Sequence, residues 1–141
     1  MADHLTVAEL IEGLKCGQPG VRAKCALDLG GRHITEEESR KALPALLVAS
    51  KDKDLQVRMK AVWAMGQIGP TAVPALIEAL KDDFWIVRND AARTLGEMGP
   101  AAKDAIPALL EALNDPDYSV RESSASALDR IDPAAKDDRR R

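Results

Sequence analysis

One short phrase recurs four times along this 141-residue chain. A Val-Arg pair is followed one helical turn later by a small residue, then by a leucine or methionine, and in most copies by a glycine. The pairs begin at Val21, Val57, Val87 and Val120, and the last three copies lie 30 and 33 residues apart. A fixed period of this length indicates a stack of similar units, each burying one face against the next.

The segment that precedes each Val-Arg pair also repeats. It reads Pro-Ala-Leu at Pro44, Pro74 and Pro107, and it continues with leucines at helical spacing. A polar turn separates it from the Val-Arg segment, whose apolar residues follow a helical stripe as well. Each copy therefore predicts an outer helix followed by an inner helix. We expect Pro44 and Pro107 to kink their outer helices, whereas Pro74 lies near a helix start.

Capping residues mark several of the predicted helix starts. Thr6 and Thr35 are each followed three positions later by a glutamate, which is the spacing of a capping box. Asp54 and Asp117 precede their valines by three residues, a good N-cap position. An insert at residues 31–40 carries the second of these boxes and predicts a longer second outer helix. Gly-Pro pairs end the second and third inner helices.

These boundaries predict one repeat domain over residues 1–133, followed by a flexible tail. The predicted repeats span about 6–31, 35–69, 70–99 and 100–132, and the tail spans 134–141. The last inner helix carries many polar residues, which suit the exposed end of a stack. We therefore expect a monomer.

The combined pattern, Pro-Ala-Leu-x-x-x-Leu, then Asp, then Val-Arg-x-x-Ala-x-x-x-Leu-Gly-x-Ile-Gly, resembles HEAT repeats. It is most similar to the short HEAT-like units of phycobilin lyase subunits, and the similarity covers residues 6–133. The resemblance implies an all-α fold, a right-handed α-α superhelix (α-solenoid) of about four helical hairpins. It also implies that the inner helices line a shallow concave face.

The resemblance further implies a ladder between repeated aspartates and arginines, within or between repeats. The aspartates are Asp52, Asp82 and Asp115, and the arginines are Arg58, Arg88 and Arg121. The first copy has Arg22 but carries Cys16 in the aspartate column, which puts the ladder in question there. One arginine per repeat favours a structural role over an anion-binding site.

Composition and charge exclude several classes of protein. Aromatic residues make up only 3% of the chain, so the core must be built from aliphatic side chains. The net charge of −3 lacks the basic excess of nucleic-acid binders, and the sequence has no apolar run near the ~20 residues of a membrane span. The N-terminus has no signal-peptide pattern. We therefore expect a cytoplasmic protein that binds neither nucleic acid nor membrane.

The sequence offers little for catalysis. His4 and His33 lie outside the repeat register, and neither is near a cysteine at metal-ligand spacing. Cys25 occupies the column of small residues within the inner helices and is expected to be buried. Known hydrolase, metalloprotease and phosphate-loop motifs are missing. We predict that the protein is not an enzyme and uses no cofactor and no metal.

Residues that vary between repeats are the candidates for binding. Positions two and six after the valine on the two middle inner helices hold Met59, Trp63, Asn89 and Arg93. Tryptophan, methionine and arginine are typical of interface hot spots. The alternative for Trp63 is that its ring merely covers the alanine-rich stack.

A second candidate is the aromatic pair Phe84 and Trp85, which we place in the turn of the third repeat. Consecutive apolar residues are unusual in a turn. Trp85 could be exposed for binding or packed locally, and the sequence favours neither. Leu55 and Tyr118, in the same column as Trp85, are expected to pack.

The predicted function is a non-catalytic scaffold that binds another protein through its concave inner-helix face. The family resemblance suggests an alternative, a subunit or relative of a chromophore (phycobilin) lyase. A second alternative is a nucleic-acid-binding HEAT-like protein, against which the net charge argues.

Overall fold

The computed structural model describes residues 5–135. Over this range the chain forms eight α-helices and three short 3₁₀ segments, and it contains no strand. The α-helices are α1 (Val7–Gly13), α2 (Pro19–Gly31), α3 (Glu36–Ala49), α4 (Leu55–Ile68), α5 (Val73–Ala79), α6 (Trp85–Met98), α7 (Ile106–Ala112) and α8 (Tyr118–Ile131). The 3₁₀ segments are Pro70–Ala72, Gly99–Ala105 and Pro133–Ala135. The predicted all-α fold is confirmed. Residues 136–141 of the predicted tail lie outside the described part of the chain.

The chain divides into two compact units. Unit 1 covers Met1–Thr71 and contains α1 to α4, and unit 2 covers Ala72–Arg141 and contains α5 to α8. The odd-numbered helices are the predicted outer helices and the even-numbered ones are the inner helices. In each unit the two inner helices pack more extensively against each other than any other pair. The assignment of a single domain to residues 1–133 stays a prediction.

The helix starts follow the capping residues in the sequence. Thr6 and Thr35 both form complete capping boxes, and each hydroxyl accepts from a glutamate N–H at 3.1 Å. Asp54 and Asp117 cap α4 and α8 by accepting backbone N–H groups with their carboxylates. Because the second box lies in the insert, α3 reaches 14 residues, twice the length of α5 or α7.

The repeated prolines differ in their positions within the helices. Pro44 lies inside α3, as predicted, and Pro74 lies in the first turn of α5. The prediction for Pro107 is wrong, because this residue also lies in the first turn of its helix, α7. The preceding segment is a 3₁₀ helix in which Ala102 leaves the helical region, so the α-helix begins only at Ile106. Proline has no free N–H, and it costs little at this position.

The repeated columns form the core of each unit. Val57, Val87 and Val120 are fully buried, and so are the aliphatic residues eight positions after them. Cys25 is buried in the column of small residues, as predicted. Only the first valine departs, since Val21 is 41% exposed. The fixed residues of the phrase therefore serve packing, and the first copy is the loosest one.

The arginine–aspartate ladder is present within each unit. In unit 1, Arg22 Nε and Nη2 donate to the two carboxylate oxygens of Asp52 at 2.7 and 3.0 Å. In unit 2, Arg88 makes the same bidentate contact with Asp115 at 2.8 and 3.1 Å. Both pairs are largely buried and join consecutive repeats. Bidentate pairing of this kind is strong and directional, so these arginines are structural.

The cysteine in the aspartate column does not interrupt the ladder. All four repeated arginines also donate to the backbone carbonyl six positions earlier, and these pairs are Arg22–Cys16, Arg58–Asp52, Arg88–Asp82 and Arg121–Asp115. A backbone carbonyl is supplied by any residue type. Cys16 therefore accepts the same arginine hydrogen bond as the aspartates of the other copies, because this bond requires only the backbone carbonyl.

One helix start lacks a side-chain cap and yields a stability prediction. Gln18, the N-cap of α2, has the extended backbone of Asp54 but makes no capping hydrogen bond. We expect Gln18→Asp to raise the free energy of unfolding by about 1 kcal/mol, because the carboxylate can accept a free N–H of the first turn. Urea denaturation measures the change. Gln18→Asn separates the cap from the charge, and no gain in either variant would contradict the prediction.

Candidate protein-binding surface

Two predicted site residues lie on α4 in unit 1. Met59 and Trp63 are one helical turn apart, which places them on the same face of the helix. Met59 is half-buried, whereas Trp63 is 39% exposed. Together they present a sulfur-bearing side chain and an indole on one stretch of inner helix.

The ring of Trp63 also packs on the neighbouring inner helix. A Cβ added at Gly30 of α2 would lie 2.6 Å from Trp63 Cζ3 and 2.9 Å from Cε3, so the indole lies directly against this glycine. The two interpretations of Trp63 therefore combine: one part of the ring covers α2 and the rest remains exposed. Packing against α2 restricts the ring before any partner binds, which lowers the entropic cost of binding.

Two further predicted residues lie on α6 in unit 2. Arg93 is exposed, and its Nη2 lies 3.5 Å from Asp90 Oδ1. Burial raises the pKa of Asp90, and the nearby Arg93 partly opposes that shift. Asn89 is half-buried, and its side-chain oxygen accepts a hydrogen bond from the Ser123 hydroxyl of α8. Arg93 is thus the more accessible of the two predicted residues.

The aromatic pair lies at the start of α6. Phe84 is the N-cap residue and Trp85 is the first residue of the helix, so Trp85 is not in the turn where the sequence suggested it. The Phe84 N–H donates to Asp82 Oδ1 at 2.9 Å, which fixes the backbone at this point. Phe84 is 46% exposed and Trp85 is 43% exposed. Both rings thus offer substantial apolar surface to solvent.

The expectation that Tyr118 packs locally is wrong. Tyr118 is the first residue of α8 and is 64% exposed, and the guanidinium carbon of Arg121 lies 5.7 Å from its ring centroid. A hydrogen bond with Glu122 raises the pKa of the tyrosine. Tyr118 and Trp85 share a column of the repeat, each is the first residue of its helix, and both rings are exposed.

The predicted residues fall into two groups, one in each unit. Met59 and Trp63 belong to unit 1, and the other four, Phe84, Trp85, Asn89 and Arg93, belong to α6 or its N-cap in unit 2. Within each group the helix brings the residues together. The assignment of all six to partner binding stays a prediction.

The chemistry of other groups is limited over residues 5–135. Cys25 is buried, and burial raises the pKa of its thiol, which disfavours the reactive thiolate. His33 is exposed, and His4 lies outside the described residues. Within the described range, no cluster of three or more His, Cys, Asp or Glu side chains is arranged to hold a metal ion. None of the helices described is both long and apolar enough to cross a membrane.

Comparison with protein families agrees with the repeated helical hairpins. The model of HEAT repeats matches the chain twice, over residues 7–83 and 73–139. The chain belongs to the HEAT-repeat family. The overlapping matches cover most of the chain, and the predicted resemblance is confirmed. A search of the curated proteins gave no match.

Solved structures similar to this HEAT-repeat chain show the same fold. An engineered protein is 21% identical, with a TM-score of 0.63 over 91% of this chain and 63% of that protein. A designed armadillo repeat protein in complex with the peptide (KR)4 is 20% identical, with a TM-score of 0.62 over 89% of this chain and 64% of that one. The chain thus spans a little under two thirds of either protein.

A natural structure is also similar. The complex of CpcE and CpcF of phycocyanin lyase from Nostoc sp. PCC7120 contains a chain that is 22% identical, with a TM-score of 0.60 over 94% of this chain and 67% of that one. At these identities the similarity establishes a helical-repeat fold. A helical-repeat fold of this kind serves many unrelated functions, which depend on the residues exposed on its surface.

Proposed function

We propose that this HEAT-repeat chain is a non-catalytic scaffold that binds another protein through its inner-helix face. The observation that carries the proposal is the exposure of three large aromatic rings, Trp63, Phe84 and Trp85, at positions where the repeat does not require them. Aromatic side chains supply large contact areas at low entropic cost, and they dominate interface hot spots.

The fixed residues of the repeat support the same division of roles. Arg22 and Arg88 are taken up by buried carboxylates and carbonyls, so they are not available to a ligand. Arg93 is exposed and lies beyond the ladder on α6. The structural neighbours include one protein in complex with a peptide and one pair of lyase subunits in complex with each other. Binding to a protein or peptide is therefore a use to which similar folds are put.

The proposal predicts a large loss of affinity when the exposed tryptophans are removed. The partner is first captured from the native host with the tagged wild-type chain, and its affinity is then measured by calorimetry. Trp63→Ala or Trp85→Ala should weaken binding by about 30-fold or more, the scale of a 2 kcal/mol hot spot. Circular dichroism establishes that each variant is folded.

Two exposed apolar residues on outer helices provide matched controls. Val48 on α3 is 73% exposed and Leu110 on α7 is 43% exposed. Val48→Ala and Leu110→Ala should change the affinity less than twofold, because single exposed apolar residues are common on any surface. The opposite result would contradict the proposal. If both tryptophan variants bind normally and an outer-helix variant loses affinity, the partner binds the outer helices.

The alternative function is a role as a subunit or relative of a phycobilin lyase. It is favoured by one observation, the structural similarity to the CpcE–CpcF complex. Mixing the purified chain with a bilin distinguishes the two functions. A new visible absorption band and retention of the pigment on a desalting column would support the lyase role, and their absence would remove it.

A further inference from the structure

A cavity of about 360 Å³ lies between α6 and α8 in unit 2. Its buried lining includes Gly96 and Ala127, and its exposed lining includes Ser126, Arg93, Glu122 and Arg130. The cavity thus has a floor of small buried residues and a charged rim. The two inner helices that form it belong to one unit.

The equivalent place in unit 1 is occupied by a tryptophan. In the register of the repeat, Gly30 corresponds to Gly96, and Trp63 corresponds to Ser126. In unit 1 a Cβ at Gly30 would lie 2.7 Å from Ala64 Cα, and in unit 2 a Cβ at Gly96 would lie 2.9 Å from Ala127 Cα. The helices therefore approach equally closely in both units.

The two units differ in what covers the glycine. In unit 1 the indole of Trp63 lies against Gly30. In unit 2 the corresponding side chain is the short hydroxymethyl of Ser126, and the space above Gly96 belongs to the cavity. The same backbone arrangement thus holds a ring in one unit and leaves room for one in the other.

We infer that the cavity between α6 and α8 binds an aromatic side chain of the partner, best the indole of a tryptophan. This inference deepens the proposed function and rests on it for the source of the ring. The small residues of the floor leave room for a ring, as Gly30 does for Trp63. The guanidinium groups of Arg93 and Arg130 can stack on it, and the carboxylate of Glu122 can accept the indole N–H.

The charges around the cavity argue against an acidic ligand. Glu122 is part of the rim, and Arg93 is already paired with Asp90. A carboxylate ligand would face the two negative charges of Glu122 and Asp90 as well as the two positive charges of the arginines. A ring, which attracts cations with its face and offers a donor at its edge, fits this mixture of charges better.

The test uses the full chain and N-acetyl-tryptophanamide as the probe. In a titration followed by ¹⁵N NMR, we expect saturable shifts of the amides of Gly96, Ser126 and Ala127. N-acetyl-leucinamide and the α-amide of N-acetyl-aspartate, which keeps its side-chain carboxylate, should bind at least fivefold more weakly. An absence of saturable shifts at these amides, or equal binding of the leucine or aspartate probe, would overturn the inference.

Two kinds of variant sharpen the test. Ser126→Trp should fill the cavity from within, as Trp63 does in unit 1, and abolish probe binding, whereas Ala125→Trp adds the same ring at the adjacent exposed position and should leave it intact. Arg93→Ala and Arg130→Ala should each weaken binding about two- to fivefold. Full probe affinity in folded Ser126→Trp, or in both arginine variants, would contradict the inference.

The probe experiment is independent of the partner. A negative result with the probe, together with a partner that depends on Trp63, would refute only the aromatic cavity. A positive result with the probe, together with a captured partner that ignores both tryptophans, would refute only the proposed binding face.

Discussion

Replacing Arg22 with alanine is expected to lower the free energy of unfolding of unit 1 by about 3 kcal/mol. The guanidinium makes three hydrogen bonds, two to the carboxylate of Asp52 and one to the carbonyl of Cys16. Its removal leaves a largely buried carboxylate without its charged partner, which typically costs ~3–5 kcal/mol. We expect the lower end, because 13% of the Asp52 side chain remains exposed.

The measurement exploits the two tryptophans, one in each unit. Trp85→Phe leaves Trp63 as the reporter of unit 1, and guanidinium denaturation followed by its fluorescence gives the stability of that unit. Arg40 supplies a matched control: it also contacts a carboxylate at 2.7 Å, that of Glu36, but both side chains are about 70% exposed. Arg40→Ala should cost about 0.5 kcal/mol or less. Equal losses from Arg22→Ala and Arg40→Ala would show that burial of the pair contributes nothing.

The same pair gives unit 1 a dependence on acid. Hydrogen bonds from Arg22 lower the pKa of Asp52, and burial partly opposes them. A carboxylate with a lowered folded-state pKa contributes stability that is fully present above its unfolded pKa of about 3.9 and is lost as the pH falls through the folded value. We therefore expect Arg22→Ala to flatten the loss of stability below about pH 4.

Much of the fold could be predicted because the repeat presents each signal several times. The capping boxes at Thr6 and Thr35 are local, since four consecutive residues suffice to form them. The position of Pro107 in the first turn of α7 does not follow from the sequence, because the helix start depends on Ala102, whose backbone leaves the helical region without any side-chain signal. Periodicity fixes which residues face the core, but it does not fix where a 3₁₀ turn gives way to an α-helix.

The candidate site is less predictable, because exposure depends on neighbours in space. Trp63 is partly covered only because Gly30, 33 positions earlier, lets its ring approach α2. The cavity above Gly96 follows from a single small residue, Ser126, in the column that holds Trp63. That difference is visible in the sequence. It produces a cavity only because α6 and α8 approach each other as closely as α2 and α4 do.

Adjacent glycines on α2 should respond to alanine with opposite signs. A Cβ at Gly30 would lie 2.6 Å from the ring of Trp63 and 2.7 Å from the Ala64 backbone, whereas a Cβ at Gly31 would meet nothing within 4 Å. We expect Gly30→Ala to destabilise unit 1 by about 1–3 kcal/mol, because the backbone of α4 must move away. Gly31→Ala should be neutral or stabilise the unit by up to ~1 kcal/mol, because alanine favours the helix.

Denaturation of both variants in the Trp85→Phe background measures the two effects on the same scale. In Gly30→Ala the emission of Trp63 should also shift to longer wavelength, because the displaced ring gains contact with water. Gly31→Ala should leave the emission unchanged. If Gly30→Ala proves as stable as Gly31→Ala with an unshifted spectrum, then α2 and α4 do not approach closely at this glycine. The equivalent Gly96 would then not be expected to form the floor of a ring-binding cavity either.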